Sequence, residues 1–485
     1  MPDRLSALDA SFLYLEDEAT PMHVGGVAVF RRPRSGLDYA QLVALIRQRL
    51  PLLPRYRRRV AEVPGNLARP VWVDDPAFDV TYHVRRSALP APGSHEQLFD
   101  LVARLMARPL DQSRPLWEAY LVEGLAGGHI ALITKTHQAL VDGIRSIDFG
   151  QVILAGSPSP PEVGPDEPWE PRRPPGAARL VLDAVSEAVH RPREVVENVR
   201  SATTDLLSTT RKVAGAVGAV ATSRRIVGAV GAVGGTVGLL VGTGRNPLNV
   251  TVGKARRFAV ARASLSDLRR VRADHGGTVH DVVLAVVAGA LRSWLLSRGE
   301  RVTPSTRVRA LVPMAVRVDG APLGADLAAP ASGLVGSAVT AHLVDLPVGQ
   351  AHPLTRLRHV THAMRHLSGR SMAASALLRL SGFAPPTLHS LGARAAASFS
   401  HRVVDVVVTN VPGPQVPLYA GTARMTEMFP VMPLGRNQAM AIGVTSYDGG
   451  VYFGLTGDRA ALPDVEALAG MVETAVDELM TTVRA

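Results

Sequence analysis

Residues Ile130–Gly143 read IALITKTHQALVDG. An apolar run with strand character passes into a polar turn at Thr136, His137 and Gln138, and beyond Gly143 the residues Ile144, Ile147 and Ile153 recur at near-helical spacing. Strand, turn and helix in this order is the repeating unit of an α/β fold. Taken alone, the stretch is a capped turn in which Asp142 serves as a helix N-cap and Gly143 permits close backbone approach.

Upstream, Val24–Phe30, Phe78–Val84, Trp117–Glu123 and Ile130–Thr136 are predicted strands, and Tyr39–Leu50 and Glu96–Met106 predicted helices. Composition breaks at Pro158–Pro175, where eight of eighteen residues are proline and both helix and sheet are disfavoured. A helical stretch from Ala177 to Val213 follows, and then Val/Ala/Gly sequence in which AVGAV occurs at Ala216–Val220 and again at Ala229–Val233. Ile226–Gly242 carries no charge but is short and glycine-rich for a membrane span, so it is expected to be a packed or membrane-surface helical connector. The α/β pattern resumes near Asn249. It continues with a helix at Thr278–Leu296, strands at Arg307–Met314 and Val403–Thr409, and a hairpin of Ala439–Tyr447 with Val451–Leu455 across Asp448-Gly449-Gly450. The expected organisation is a first domain over 1–157, a connector over 158–248 and a second α/β domain over 249–485.

The 485 residues contain no cysteine, which excludes disulfides, thiolate metal sites and a cysteine nucleophile. Lys and Arg outnumber Asp and Glu by 53 to 42, for a formal charge of +11, yet only Lys135, Lys212 and Lys254 are lysines. This charge suits anionic partners such as a membrane surface or a phosphate-bearing molecule. Arginines are dispersed apart from Arg55, Arg57, Arg58 and Arg59, and aromatics make up only 5%, so no nucleic-acid partner is expected. The N-terminus lacks an uninterrupted apolar segment, which predicts a cytoplasmic start.

No GxxxxGK[ST], GxGxxG after a strand, HExxH or GxSxG motif is present, which argues against phosphoryl transfer, Rossmann redox chemistry and serine hydrolysis. His359, His362 and His366 have helical spacing but fall on the polar face opposite Leu357, Val360 and Met364. They are read as solvated, and no metal is expected. Ser6 and Asp9 form a helix-capping pattern, and His23 is read as structural.

THQALVDG resembles the HHxxxDG motif of the bacterial wax ester synthase/acyl-CoA:diacylglycerol acyltransferase family, in the superfamily of chloramphenicol acetyltransferase and peptide-synthetase condensation domains. Further similarity lies in the N-terminal Leu5–Gly26 and in Pro115-Leu116-Trp117, which looks like the family's PLW motif. His280-Asp281-Val282-Val283-Leu284-Ala285 resembles NDVVLA, and the segments around Asn410–Pro414 and Ser446–Gly450 are also similar. The resemblance spans about Leu5 to Asp458. It implies two chloramphenicol acetyltransferase-like domains, each a mixed sheet with flanking helices, enclosing a tunnel in which an acyl-CoA meets diacylglycerol or a long-chain alcohol. It also implies direct transfer without a cofactor, acyl-CoA being a substrate, at an inner-membrane or lipid-droplet surface. By the same resemblance Asp142 holds the loop through a charge pair, Gly143 leaves room beside the reacting centre, and Pro115, Leu116, Trp117, His280, Asp281 and Asn410 line the tunnel.

Two positions depart from the family pattern. The base, the second histidine of the motif, is Gln138 here, and His137 aligns with the first. An amide cannot take a proton near neutral pH, and adjacent strand residues face opposite ways, so His137 is not expected to substitute. The motif asparagine is His280. Either His280 restores a base from the other domain, or it is a helix-start residue and the chain is a weak catalyst or a non-catalytic acyl-CoA-binding homologue.

Overall fold

The computed structural model describes residues 3–31, 37–141, 153–158, 169–190, 247–317, 337–367 and 404–484. Asp142, Gly143 and Ile226–Gly242 lie outside the described residues, as does all of 191–246.

In the N-terminal half the elements are β1 (Asp3–Arg4), α1 (Ala7–Leu15), β2 (His23–Arg31), α2 (Tyr39–Arg49), β3 (Arg58–Ala61), β4 (Val71–Asp74), α3 (Val80–His83), β5 (Val84–Ala88), α4 (His95–Met106), β6 (Trp117–Leu125) and β7 (His129–His137). Helix α5 (Ala177–His190) follows, then β8 (Arg256–Ser264), α6 (Leu265–His275), α7 (Val279–Ser297), β9 (Val308–Arg317), β10 (Ser337–Leu346) and α8 (Pro353–Leu367). The chain closes with β11 (Val406–Val411), β12 (Tyr419–Ala420), β13 (Ala423–Val431), β14 (Met440–Tyr447), β15 (Gly450–Asp458) and α9 (Val465–Met480).

Two mixed six-stranded sheets organise these elements. The first has the order β12-β13-β2-β7-β6-β5, the second β10-β9-β11-β14-β15-β8, and a small three-stranded sheet, β1-β4-β3, stands beside them. Helices α2 and α4 start at capping boxes, Asp38 with Gln41 and Ser94 with Gln97, and α4 turns Leu98, Val102, Leu105 and Met106 into the first core. Helix α7 is apolar on nearly all sides and is long and apolar enough to cross a membrane, yet it packs against α8 and α9 as the central helix of the second core.

The predicted hairpin is present, with Asp448 (φ 45°) and Gly449 (φ 84°) both in the left-handed region at the turn. The strand expected at Phe78–Val84 is corrected. Asp79 accepts a hydrogen bond from the Thr81 amide (2.9 Å) and starts one helical turn, α3, so extended structure begins only at Val84.

The span 249–485 does not form a sheet of its own throughout, because β13 leaves the second sheet and pairs with β2 in the first (Val431↔Gly25, Phe429↔Val27). Glycines let the two sheets meet there. A Cβ on Gly454 of β15 would stand 1.9 Å from the Pro430 carbonyl oxygen of β13, and one on Gly443 of β14 would stand 2.9 Å from the Pro430 ring. The turn after α1 makes a second junction: Asp17 pairs with Arg436 at 2.7 Å, Glu18 with Lys254, and the Ala19 carbonyl accepts from Arg256.

Candidate active site

Strand β7 ends at His137, which pairs across the sheet with His23 of β2 (ring centroids 5.8 Å apart, edge to face). The carboxylate of Glu16, just past α1, lies between them, with Oε1 3.2 Å from His23 Nε2 and Oε2 3.3 Å from His137 Nε2. The His137 approach is a close charge contact and lies off the line of a good hydrogen bond. Glu16 also accepts the Met22 amide (3.2 Å) and Gln112 Nε2 (2.8 Å).

Burial alone would raise the Glu16 carboxyl, but the imidazoles of His137 and His23 outweigh it and hold it well below the usual carboxylate range. His23 is pushed down to about 4, first by burial and then by the Lys135 charge, against the opposing pull of Glu16. At neutral pH an ionised Glu16 therefore faces an uncharged His23. The carboxylate claims the His23 Nε2–H at 3.2 Å, and the Leu110 amide, 3.4 Å from the same nitrogen, is a weaker neighbour.

His137 is fully buried, and its Nδ1 accepts the Ala139 amide at 3.0 Å. The ring proton accordingly sits on Nε2, toward Glu16, and no lone pair is left to receive a substrate proton. Gln138 comes next in the turn, its amide donating to the Met22 carbonyl at 2.9 Å and its side chain partly exposed where His137 is enclosed.

Beneath the histidines lies a second buried polar group. Lys135, two residues before His137 and on the same face of β7, is 1% exposed. Its ammonium donates to the Arg108 carbonyl (2.5 Å) and lies 3.7 Å from Glu118 Oε2. Tyr120 donates to Glu118 Oε2 at 2.6 Å and Arg85 approaches Oε1 at 3.2 Å. Burial lowers Lys135 to about 8, with Glu118 and Glu16 pulling the other way. The Tyr120 hydroxyl is raised by burial and by Glu118, and it stays protonated.

The remaining predicted residues fall in two places. Pro115, Leu116 and Trp117 are buried at the start of β6, where the Leu116 carbonyl accepts the His137 amide (3.0 Å) and ties this motif to the turn. Trp117 stacks on His83 (4.6 Å) and donates its indole N–H to the Tyr56 carbonyl (2.8 Å), as a core aromatic does. His280 stands at the start of α7, in the second domain, with its Nδ1 3.0 Å from the Asn410 amide nitrogen at the end of β11. Its Nε2 is buried without a partner among the described residues, and burial lowers its proton affinity. Asp281 closes a capping box with Thr278 (2.9 and 3.1 Å). His359, His362 and His366 are exposed on α8.

Sequence reasoning missed Glu16 and the part played by Lys135. Nothing in the spacing joins Glu16 to a histidine 121 residues later, since only the β2–β7 register brings them together. For Lys135 a signal existed in its rarity.

Residues 5–283 match the family profile of the wax ester synthase/diacylglycerol acyltransferase catalytic domain, and residues 335–480 match that of its C-terminal domain. The chain is 51% identical over 280 residues to the probable diacylglycerol O-acyltransferase tgs3 of Mycobacterium tuberculosis, covering 56% of this chain and 96% of the relative. It is 32% identical to tgs2 of the same organism over 98% of both chains. Among solved structures it resembles the wax ester synthase/diacylglycerol acyltransferase of Marinobacter aquaeolei VT8, with TM-score 0.67, 27% identity and 99% of each chain covered. That likeness, with a further one to a peptide-synthetase condensation domain, fixes the fold as that of the CoA-dependent acyltransferases. The chain belongs to the wax ester synthase/diacylglycerol acyltransferase family of acyl-CoA-dependent acyltransferases.

Proposed function

We propose that this chain transfers a fatty acyl group from acyl-CoA to the hydroxyl of diacylglycerol or a long-chain alcohol, giving triacylglycerol or wax ester, at a rate limited by Gln138. One observation carries this reading. The turn after β7 is held by Glu16, His23, His137 and the Leu116 carbonyl, so residue 138 is presented on a fixed frame whatever its side chain. The acceptor oxygen attacks the thioester carbonyl, the C–S bond breaks and CoA leaves as the thiolate. The hydroxyl proton ends on that thiolate, directly or through water. The Gln138 carbonyl can accept a hydrogen bond from the acceptor hydroxyl and orient it but cannot take its proton, and a general base is worth about 10²–10⁴ in rate. Proximity supplies what transfer remains.

The test is ester formation from radiolabelled palmitoyl-CoA with diacylglycerol or hexadecanol, by the chain and by its Gln138→His variant. We expect slow turnover, raised about 10²-fold or more by the histidine. No ester from either protein across acyl lengths sinks the reading. A second reading, a non-catalytic acyl-CoA-binding homologue, is favoured by Gln138 itself and predicts acyl-CoA binding without turnover, unmoved by His280→Ala. In either case the +11 charge supports a peripheral position on an anionic inner-membrane or lipid-droplet surface.

A further inference from the structure

Fifty of the 53 basic residues are arginine, and arginine is tolerated inside this protein, since Arg57, Arg256 and Arg356 are all buried. The one basic side chain enclosed beneath the histidines is nevertheless a lysine. A compact ammonium with three donors meets needs that a planar guanidinium does not: it fits a small space, points at a single carbonyl and can lose its proton.

The neighbours show what that charge does. The loop after α4 touches the site three times: the Arg108 carbonyl accepts from Lys135, the Leu110 amide lies 3.4 Å from His23 Nε2, and Gln112 donates to Glu16 at 2.8 Å. Glu118 is buried beside Lys135, the Glu16 side chain is 8% exposed between the two histidines, and Arg85 reaches Glu118. Without the ammonium, the group best placed to take a compensating proton is His23, in contact with Glu16.

We propose that Lys135 is a positioning residue. Its buried ammonium, bonded to the Arg108 carbonyl and facing Glu118, holds Glu16, His23 and His137 in one protonation and hydrogen-bond pattern, and through them the turn that carries residue 138. Lys135 is 1% exposed and acts through the carboxylate and the loop. Only its consequence for rate rests on the acyl-transfer reading.

The test is a pH titration of the full-length chain labelled with ¹⁵N at histidine and lysine, in which three lysines give three Nζ signals. In the unsubstituted protein the Lys135 Nζ is expected to titrate near 8, and the ring nitrogens of His23 to shift with the same midpoint. Rings that ignore the Lys135 titration overturn the proposal, and this measurement stands even if no variant folds. Lys135→Met is expected to raise the His23 midpoint by about one pH unit or more. A folded Lys135→Met protein with His23 unmoved also overturns it. On the Gln138→His background, Lys135→Met should lower kcat about tenfold with KM little changed, and a loss confined to KM counts against the assignment. Coupled rings in a chain that forms no ester would sink the acyl-transfer reading and leave the Lys135 assignment standing.

Discussion

Acidification should loosen the first domain through His23, in a window that opens above that of ordinary carboxylates. Unfolded, the ring takes its proton near 6.5; folded, near 4. A histidine with depressed proton affinity stabilises the fold fully above pH 6.5, and that contribution falls away as pH drops toward 4, because the unfolded chain binds the proton first. Each unit of difference is worth about 1.4 kcal/mol, so the loss is about 2 kcal/mol by pH 5 and about 3 kcal/mol at its limit. Glu16 adds little slope between pH 7 and 5: its depressed carboxyl gives stability present above the unfolded value of 4.5, lost as pH falls through and below it. The assay is native-state hydrogen exchange at amides of β2 and β7, which reports opening of the first sheet without assuming one transition for the whole chain. The unsubstituted protein should lose about 2 kcal/mol of protection relative to His23→Gln between pH 7 and 5. Parallel curves for the two proteins over that interval would refute a His23 buried in its neutral form.

Two further perturbations bear on the frame. Gly454→Ala drives a methyl into the Pro430 carbonyl, a contact between two backbones with no flexible neighbour to yield, and should cost about 3 kcal/mol or more in thermal unfolding, whereas Gly470→Ala, at an open position on α9, should not destabilise. Thr278→Ala removes one half of the α7 capping box and should cost about 1 kcal/mol, read from the denaturation midpoint.

Much of this architecture was legible from residue pattern. The strand–turn pattern at 130–141, the α4 and α7 helices and the Asp448-Gly449 turn follow from periodicity and turn chemistry, which are local properties. Strand β13 was not legible: ARMTEMFPV contains a proline and a bulge between Met425 and Glu427, and its partner β2 lies about 400 residues earlier. The strand expected at Phe78–Val84 failed for a local reason, the Asp79 side chain closing a helical turn. At the site, motif position singled out His137 and Gln138. The buried carboxylate of Glu16 was invisible because a pairing register, not a spacing, delivers it.

The return of β13 to the first sheet fixes an order of events during synthesis. Until residue 431 of 485 has left the ribosome, β2 stands as an open edge, with backbone donors and acceptors that nothing yet covers. The N-terminal half therefore waits for a strand about 400 residues further along the chain before its sheet is complete. Cutting the gene near residue 249 leaves a fragment with an unfinished β2 edge, prone to pair with its own copies, and a remainder carrying an orphan strand.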